Sequence, residues 1–245
     1  MTRLLDSIGL FLLDLADLAK AISNRWPLTA WAGWCALFSL FSFLLLDRPI
    51  ALALKAAIPG THLEGFFKTI TWLGEGGFWI MPPLLAALFF WWRRRRAVEW
   101  GEHSDLENRL GQYFRSALYL GASVLLSGAF VAVIKVIAGR YRPRYLFDEG
   151  LYGFHPFNIQ WAMNSFPSGH SQTAFAAMVA LAFILPRQAW VFYILAVLIA
   201  ASRVFTTVHF VSDTVMGGYL GAAGAIILYR LCAQRGWSVR LDSQD

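Results

Sequence analysis

The sequence predicts an all-α integral membrane protein, in which six transmembrane helices form a bundle preceded by an N-terminal amphipathic interfacial helix. Three observations lead to this fold class. The chain is 58% hydrophobic and only 15% charged, whereas soluble domains carry about 25% charged residues. Its mean hydropathy is +0.51. Its apolar residues form six runs, and about 20 consecutive apolar residues are enough to cross about 30 Å of hydrocarbon.

Residues 3–22 predict the interfacial helix. Their apolar side chains recur at spacings of three and four residues, and their charged side chains lie mostly on the opposite face. Such a helix lies along the membrane interface or packs against the cytoplasmic face of the bundle. Asp14 and Asp17 inside the run argue against a cleavable signal peptide. The apolar positions are Leu4, Ile8, Phe11, Leu15, Leu18 and Ile22.

The first two spans are predicted at Leu28–Leu46 and from Phe66 to Trp92. The first contains no charged residue and ends at Asp47-Arg48-Pro49. Residues 50–64 then form a short, weakly amphipathic segment outside the membrane. Glycines and prolines are expected to bend the second span. They are Gly74, Gly76, Gly77, Pro82 and Pro83.

Four further spans follow a predicted cytoplasmic loop of charged residues. Small residues along the last span favour close helix packing in lipid. The chain is thereby divided into an amphipathic segment 1–27, a six-span domain 28–232 and a cytoplasmic tail 233–245. The charged loop is 97–112, a polar loop is 139–166, and the spans are 114–137, 168–185, 189–204 and 211–231. The small residues are Gly217, Gly218, Gly221 and Gly224.

Positive charges favour an orientation with both termini in the cytoplasm, because cytoplasmic loops carry an excess of Lys and Arg. The run Arg93–Arg96 is interpreted as a topological anchor, with binding of acidic lipids as the alternative. The predicted location is a bacterial inner membrane. The inner cations are Arg3, Lys20, Arg25, Arg93 to Arg96, Arg109, Arg115, Arg187, Arg230, Arg235 and Arg240; the outer ones are Arg48, Lys55, Lys68, Lys135, Arg140, Arg142, Arg144 and Arg203.

Three polar motifs lie at the ends of apolar segments, all on the predicted outer face. Ionisable groups beside a membrane span are costly, and by default they mark function. These residue types suit the binding and transfer of a phosphate. The motifs are Lys135 with Arg142-Pro143, then Pro167-Ser168-Gly169-His170, and finally Ser202-Arg203 with His209 and Asp213.

The cations and the second motif suit an anion. Arg142 and Arg203 each offer a planar guanidinium, which donates two parallel hydrogen bonds to phosphate. The helix carrying Lys135 is expected to end just before Arg142, because the proline that follows Arg142 disfavours a helical residue there. Ser168 is expected to cap a helix, whose free amides attract an anion. Gly169 permits close backbone approach.

His209 and Asp213 are four residues apart, so they share one face at the start of the sixth helix. A carboxylate that accepts a proton from one imidazole nitrogen fixes the tautomer and leaves the other lone pair free to attack. The same spacing suits a pair of metal ligands. Three nearby cations, in place of further acidic ligands, argue against a divalent metal. His170, on the first turn of the fourth span, faces the same anion.

In order and spacing, the motifs resemble those of the type 2 phosphatidic acid phosphatase superfamily, which includes membrane lipid phosphatases and vanadium haloperoxidases. The spans around the motifs favour the membrane lipid phosphatase branch. The resemblance implies that His209 is the nucleophile, forming a phosphohistidine, and that Asp213 orients it. It implies that His170 is the acid for the leaving group and then the base that activates water. No metal or other cofactor is implied. The non-bridging oxygens are held by Lys135, Arg142, Arg203, Ser168 and the Gly169 amide.

The sequence therefore predicts a membrane lipid phosphatase acting on a lipid phosphate or diphosphate at the outer face. Its predicted partners are the lipid substrate and membrane lipids. Nucleic acid is not expected as a partner, because a net charge of +6 in a membrane chain reflects cytoplasmic Lys and Arg. Polyprenyl diphosphate, phosphatidylglycerol phosphate, phosphatidic acid and lipid A phosphates remain open as substrates. One alternative is a lipid phosphotransferase using the same phosphohistidine. Another is a non-enzymatic transporter, whose cations would lie at mid-membrane depth.

Residues outside the motifs have less specific interpretations. Glu75 is interpreted as a carboxylate near a helix end, with a position facing the site as the alternative. Arg140 and Arg144 are candidates for contact with a second phosphate or a headgroup. Ser202 is expected to pack without a chemical role. Aromatic residues of the polar loop line the entrance to the site or anchor the interface: Phe147, Tyr152, Phe154, Phe157, Trp161 and Phe166.

Overall fold

The computed structural model describes residues 27–101, 104–160 and 163–241. These residues form nine α-helices and no β-sheet. Five helical segments within them are long and apolar enough to cross a membrane. The prediction of an all-α integral membrane protein is therefore confirmed. The predicted interfacial helix at 3–22 lies outside the described residues.

The first helical segment is longer than predicted. Helix α1 (Leu28–Phe41) passes through a π-helical turn (Ser42–Leu46) into α2 (Asp47–Ala57), which gives one segment of 30 residues. The prediction that Asp47-Arg48-Pro49 ends the span is wrong, and so is the separate segment at 50–64. The proline lies in the first turn after the π-helical turn, where a missing N–H is tolerated. The aspartate is buried against a guanidinium.

The second predicted span is broken rather than bent. Helix α3 (His62–Ile70) leads into a 3₁₀ turn (Thr71–Gly74), the backbone is extended at Glu75, and α4 (Gly76–Glu99) follows. Glycine is a poor helix former, so a cluster of glycines is a natural place for the break. The prolines at Pro82-Pro83 lie inside α4 without ending it.

Helix α5 (Ser104–Ala138) has 35 residues and begins soon after α4 ends. The predicted charged loop at 97–112 is therefore wrong. Its charged residues lie instead on helix ends, where Arg94 Nη2 contacts Glu107 Oε1 at 2.9 Å. Both helices thus continue past their apolar segments on the predicted cytoplasmic side.

The predicted polar loop at 139–166 contains a short helix, α6 (Pro143–Glu149). A proline at the first helical position has a suitable φ and needs no partner for an N–H. Gly150 ends the helix with a φ of 71°, which glycine adopts without strain. The loop is closed at its base, where the N–H of His155 donates to the carbonyl of Gly139 at 2.6 Å.

The last three helices are α7 (Gly169–Ile184), α8 (Ala189–Phe205) and α9 (Val211–Gln234). Helix α7 lies at the centre of the bundle, in contact with α5, α8 and α9. Its 16 residues extend for about 24 Å, less than the roughly 30 Å of a full crossing. The structure thus has five candidate spans and one shorter central helix, where six spans were predicted. Eleven residues of α7 are buried, because its neighbours cover it.

Glycines allow α9 to approach α7 at backbone distance. A Cβ atom on Gly217 would lie 2.3 Å from the carbonyl oxygen of Ser168. A Cβ atom on Gly221 would lie 2.1 Å from the carbonyl oxygen of Gln172. The predicted small-residue packing of the last span is therefore confirmed.

The end of the described chain packs against the bundle. Val239 is buried, and its carbonyl accepts a hydrogen bond from Ser116 Oγ of α5 at 2.8 Å. The N–H of Leu241 donates to the carbonyl of Ile184 at the end of α7 at 3.0 Å. This segment therefore ties α5 and α7 together at the end of the bundle opposite the motifs.

We expect Gly221→Ala to destabilise the protein, because the new Cβ forces α7 and α9 apart. Overpacking costs about 1–3 kcal/mol, which lowers the Tm of a chain of this size by about 2–12 °C. Thermal unfolding in detergent, followed by tryptophan fluorescence, measures the change. Gly65→Ala is the control, since nothing lies within 4 Å of a Cβ at Gly65 on α3. Equal Tm values for the two variants would contradict this account of the helix contact.

Candidate active site

Eight residues of the three predicted motifs converge at one end of the bundle. The N–H of Ser168 donates to the carbonyl of Asp213 at 2.9 Å, which joins the second motif to the third. The ammonium of Lys135 lies within electrostatic range of Arg142 and Asp213, which joins the first motif to the others. The eight residues come from the ends of α5 and α8, the starts of α7 and α9, and two connections: Lys135, Arg142, Ser168, Gly169, His170, Arg203, His209 and Asp213.

The predicted histidine–carboxylate pair is bridged by a serine that the sequence analysis missed. The distance from His209 Nδ1 to Asp213 Oδ2 is 3.6 Å. Ser165 Oγ lies close to both atoms, 2.6 Å from Asp213 Oδ2 and 3.3 Å from His209 Nδ1. Because the hydroxyl donates its only proton to the carboxylate, its oxygen accepts from the Nδ1–H group. The free lone pair of the ring is then on Nε2.

His209 is neutral at neutral pH. Burial lowers its pKa to about 3, and the positive charge of Arg142 acts in the same direction, against the opposing effect of Asp213. Only the neutral ring has a lone pair available for attack on phosphorus. The site therefore contains an uncharged imidazole whose protonated nitrogen is fixed.

His170 has a carboxylate partner, Glu75, whose Oε1 lies 3.1 Å from His170 Nε2. Glu75 lies at a helix end, as the favoured interpretation has it, and its side chain also faces the candidate site, as in the alternative. The break before α4 places this side chain at the site. The neighbouring Gly74 makes room for the histidine, because a Cβ there would lie 2.9 Å from His170 Cδ2. The carboxylate therefore orients the ring.

Three cations are held close together beside the two histidines. Lys135 Nζ donates to the carbonyl of Asn164 at 2.8 Å, and Arg203 Nη1 donates to Thr71 Oγ1. Arg142 and Arg203 are both buried, and burial lowers the pKa of Arg142. Like charges in a buried site repel one another, so an anion between them is strongly favoured. Among the described residues, no group of three His, Cys, Asp or Glu side chains has the arrangement of a metal site.

The N-terminus of α7 completes the anion site. Ser168 caps this helix as predicted, with its Oγ accepting from the N–H of Ser171 at 3.4 Å. The first amides of a helix have no acceptor within it, and they carry the positive end of its dipole. The backbone at Gly169 is open toward Lys135, whose Cε would lie 3.8 Å from a Cβ on the glycine.

A cavity of about 250 Å³ reaches one of the three cations, Lys135, and extends between α4, α5 and α7. Lys135, Gly169, His170 and Glu75 line one part of it. The other walls are mainly apolar, with two polar side chains of α7, and they are formed by Ile80, Val124, Val131, Ala132, Gln172 and Thr173. The site therefore has a polar end suited to an anion and an apolar extension beside it.

The structure also places three residues that had less specific interpretations. Arg140 is completely buried in ion pairs with Asp47 and Asp213, so it is closed to a headgroup. Arg144 is exposed and pairs with Asp148. Ser202 packs as predicted, with its Oγ donating to a backbone carbonyl.

The aromatic residues of the polar loop do not form one lining. Tyr152 and Phe154 pack around the guanidinium of Arg140. Phe147 lies 5.3 Å from Lys55 Nζ, and Phe157 is 78% exposed. Trp161 lies outside the described residues. Some of these aromatic rings therefore pack inside the loop, and others lie at its surface.

Residues 116–237 match the sequence model of the PAP2 superfamily. The lipid A 1-phosphatase of Rhizobium johnstonii is 31% identical over 185 residues, which are 75% of this chain and 72% of that protein. The lipid A 1-phosphatase of Rhizobium etli is 35% identical over 116 residues, which are 46% of this chain and half of that protein.

A solved structure shares the fold. The crystal structure of LpxE from Aquifex aeolicus matches with a TM-score of 0.52 at 21% sequence identity. The match covers 76% of this chain and 95% of that one. The bundle described above is thus an architecture already seen in an experimental structure.

We expect inorganic phosphate to raise the Tm of the purified protein, because a ligand that binds only the folded state stabilises it. At 100 times the Kd, the gain is about 2.7 kcal/mol, or about 5–11 °C for a chain of this size. Arg203→Gln removes one of the three cations and should abolish most of this shift. Chloride at equal ionic strength is the control for general salt effects. Equal shifts with chloride and phosphate would contradict an anion site of this kind.

Proposed function

Because the chain belongs to the PAP2 superfamily, we propose that it is a membrane lipid phosphatase that hydrolyses a lipid phosphate through a phosphohistidine on His209. One observation carries the proposal: a buried, neutral imidazole with its Nδ1 held by Ser165 and Asp213 lies beside a cluster of cations. This combination provides both a nucleophile and the charge that phosphoryl transfer requires.

In the first step, Nε2 of His209 attacks phosphorus in line with the bond to the lipid oxygen. The P–N bond forms, the P–O bond breaks, and the proton from His170 goes to the departing lipid alkoxide. Negative charge on the three non-bridging oxygens is stabilised by Lys135, Arg142, Arg203 and the amides at the start of α7. Asp213 offsets the positive charge that develops on the His209 ring.

In the second step, water replaces the lipid alcohol. His170, now neutral, takes a proton from the water as its oxygen attacks phosphorus. The P–N bond breaks, and its electron pair returns to His209. Inorganic phosphate leaves, and His170 is protonated again for the next cycle. The Glu75 carboxylate beside His170 supports both states, because it stabilises the protonated ring and orients the neutral one.

The proposed substrate class is a lipid A-type phosphate, as the names of the two Rhizobium relatives suggest. The cavity between α4, α5 and α7 supports a lipid, because its apolar walls adjoin Lys135 and His170. A lipid entering from the side of the bundle would bring its phosphate to His209 and keep its apolar part in contact with α4 and α5. Polyprenyl diphosphate, phosphatidylglycerol phosphate and phosphatidic acid are the competing substrates.

The proposed location of the site is the outer face of a bacterial inner membrane, with cytoplasmic termini. The arginines at the ends of α4 and α5 support this orientation through the excess of positive charge in cytoplasmic segments. Cysteines introduced at 145–160 should then label from outside intact cells, and labelling only after lysis would reverse the orientation.

We expect a phosphate-release screen of the detergent-purified protein to give its highest kcat/KM with lipid A. The panel includes polyprenyl diphosphate, phosphatidylglycerol phosphate and phosphatidic acid, each with and without an acceptor lipid. Release without an acceptor supports hydrolysis. Transfer that requires an acceptor would favour a phosphotransferase. The absence of phosphate release or transfer with every lipid of the panel would reject the proposed function. The inactive control is His209→Ala; the active one is His62→Ala, at the start of α3.

We expect His170→Ala to accumulate the phosphoenzyme when the substrate is an aryl phosphate. A phenolate leaves without a proton, so the first step partly survives, whereas water attack loses a base worth about 10²–10⁴-fold. Rapid-quench measurement should give a burst of phenol near one equivalent, with an acid-labile, base-stable phosphoryl group on the protein. The double variant with His209→Ala should show neither. Steady turnover without a burst would exclude His170 as the base.

A further inference from the structure

Arg140 lies at the centre of a buried polar network next to the nucleophile. Its Nη1 donates to Asp213 Oδ1 at 2.5 Å and to Ser212 Oγ at 2.6 Å, and its Nη2 donates to Asp47 Oδ2 at 2.7 Å. All three charged side chains of this network are fully buried. Aromatic rings surround the guanidinium at 4.6–5.6 Å from its central carbon. They belong to Phe43, Tyr152, Phe154 and Phe210.

Arg140 contacts both groups that hold His209. Its side chain fixes one oxygen of Asp213, which leaves Oδ2 for Ser165 Oγ and for the N–H of Phe210 at 2.9 Å. Its backbone carbonyl accepts from the N–H of Ser165 at 3.0 Å. The orientation of the carboxylate and the position of the bridging hydroxyl therefore both depend on this arginine.

Asp47 brings the first helical segment into the network. Its Oδ1 accepts from Ser42 Oγ at 2.7 Å and from the N–H of Ser212 at 3.1 Å, and its Oδ2 also accepts from Ser212 Oγ. The amide of Ser212 is one of the first in α9, so Asp47 caps that helix from another segment. The π-helical turn just before Asp47 turns the carboxylate toward the interior, and such turns are frequent at functional sites.

Stability alone is a poor explanation for these buried charges. Replacing a buried ion pair by apolar groups of the same volume is often neutral or stabilising. Here one guanidinium is shared by two carboxylates, and the second carboxylate belongs to the proposed catalytic pair. The arrangement fits a geometric role better than a stabilising one.

We propose that Arg140 and Asp47 are positioning residues for phosphoryl transfer, with the Asp47–Arg140 pair holding Asp213 and Ser165 so that His209 Nε2 points at the substrate phosphorus. This inference rests on the proposed function. It assigns a role in turnover to the first helical segment, which carries none of the three motifs. Neither residue contacts the three cations of the anion site in the network described here.

A positioning role predicts that substitution lowers kcat and leaves KM nearly unchanged. Arg140→Gln leaves two buried carboxylates without a counter-charge, and one of them takes up a proton. A protonated Asp213 no longer holds the hydroxyl and ring in the attacking geometry. We expect kcat to fall about 10–100-fold, as for other groups that orient a functional histidine. KM and the inhibition constant for phosphate should stay within about threefold, because the cations are unchanged.

The charge-balanced double variant separates positioning from packing. In Asp47→Asn/Arg140→Gln only one buried carboxylate remains, and the glutamine amide can donate to it. We expect this variant to have a higher kcat than Arg140→Gln and at most the kcat of Asp47→Asn. If the two residues only filled space, the second substitution would leave kcat unchanged or lower it further. A double variant that is folded and no faster than Arg140→Gln would overturn the proposal.

Asp47→Asn alone decides the matter if Arg140→Gln does not fold. It is isosteric, and Arg140 keeps Asp213 as its partner. We expect a fall in kcat of about tenfold at constant KM, and a wild-type kcat would overturn the proposal. Tyr119→Phe is the control for a lost buried hydrogen bond, since its hydroxyl donates to the Ala225 carbonyl within the bundle. It should lower Tm and leave kcat unchanged. An inactive wild-type protein would instead reject the proposed function together with this inference.

Discussion

The hydrogen bond from the Ser168 N–H to the Asp213 carbonyl is the contact on which the geometry of the site depends. It joins the first turns of α7 and α9 directly through the backbone, and the absence of a side chain on Gly217 makes this approach possible. The N-terminus of α7 is thereby held beside Asp213, where the helix dipole favours an anion. His209 is also held nearby, because it lies in the short connection between α8 and α9.

The site contains two kinds of arginine, one enclosed in ion pairs and one grouped with other cations. Arg140 and Arg142 are only two residues apart in the chain, yet their guanidinium groups have different surroundings. Arg140 turns into the bundle, where two carboxylates and four aromatic rings enclose it. Arg142 lies with Lys135 and Arg203 in the group of cations beside the two histidines. One short stretch thus provides both the buried centre of an ion-pair network and a cation of the proposed anion site.

The sequence predicted the parts of the site that are encoded locally. The motifs identified His209, Asp213 and the cations because their spacings follow helix geometry and because charge beside a span is rare. Glu75, Ser165 and Asp47 were missed or misjudged, because their importance comes from partners more than 40 residues away. Apolar runs likewise located the bundle but placed several helix ends wrongly. Charged residues at those ends were taken for loops, although the structure shows them as helical.

The π-helical turn at Ser42–Leu46 has a consequence for comparison between homologues. Such a turn adds one residue to an α-helix without breaking it. Deleting any one residue of the turn would restore an ordinary helix, but it would rotate Asp47 by about 100° relative to the residues before it. In an alignment, a homologue without the π-helical turn should therefore show a single-residue gap at this position. A homologue with that gap would have lost the inward carboxylate even if an aspartate still stood at the aligned position.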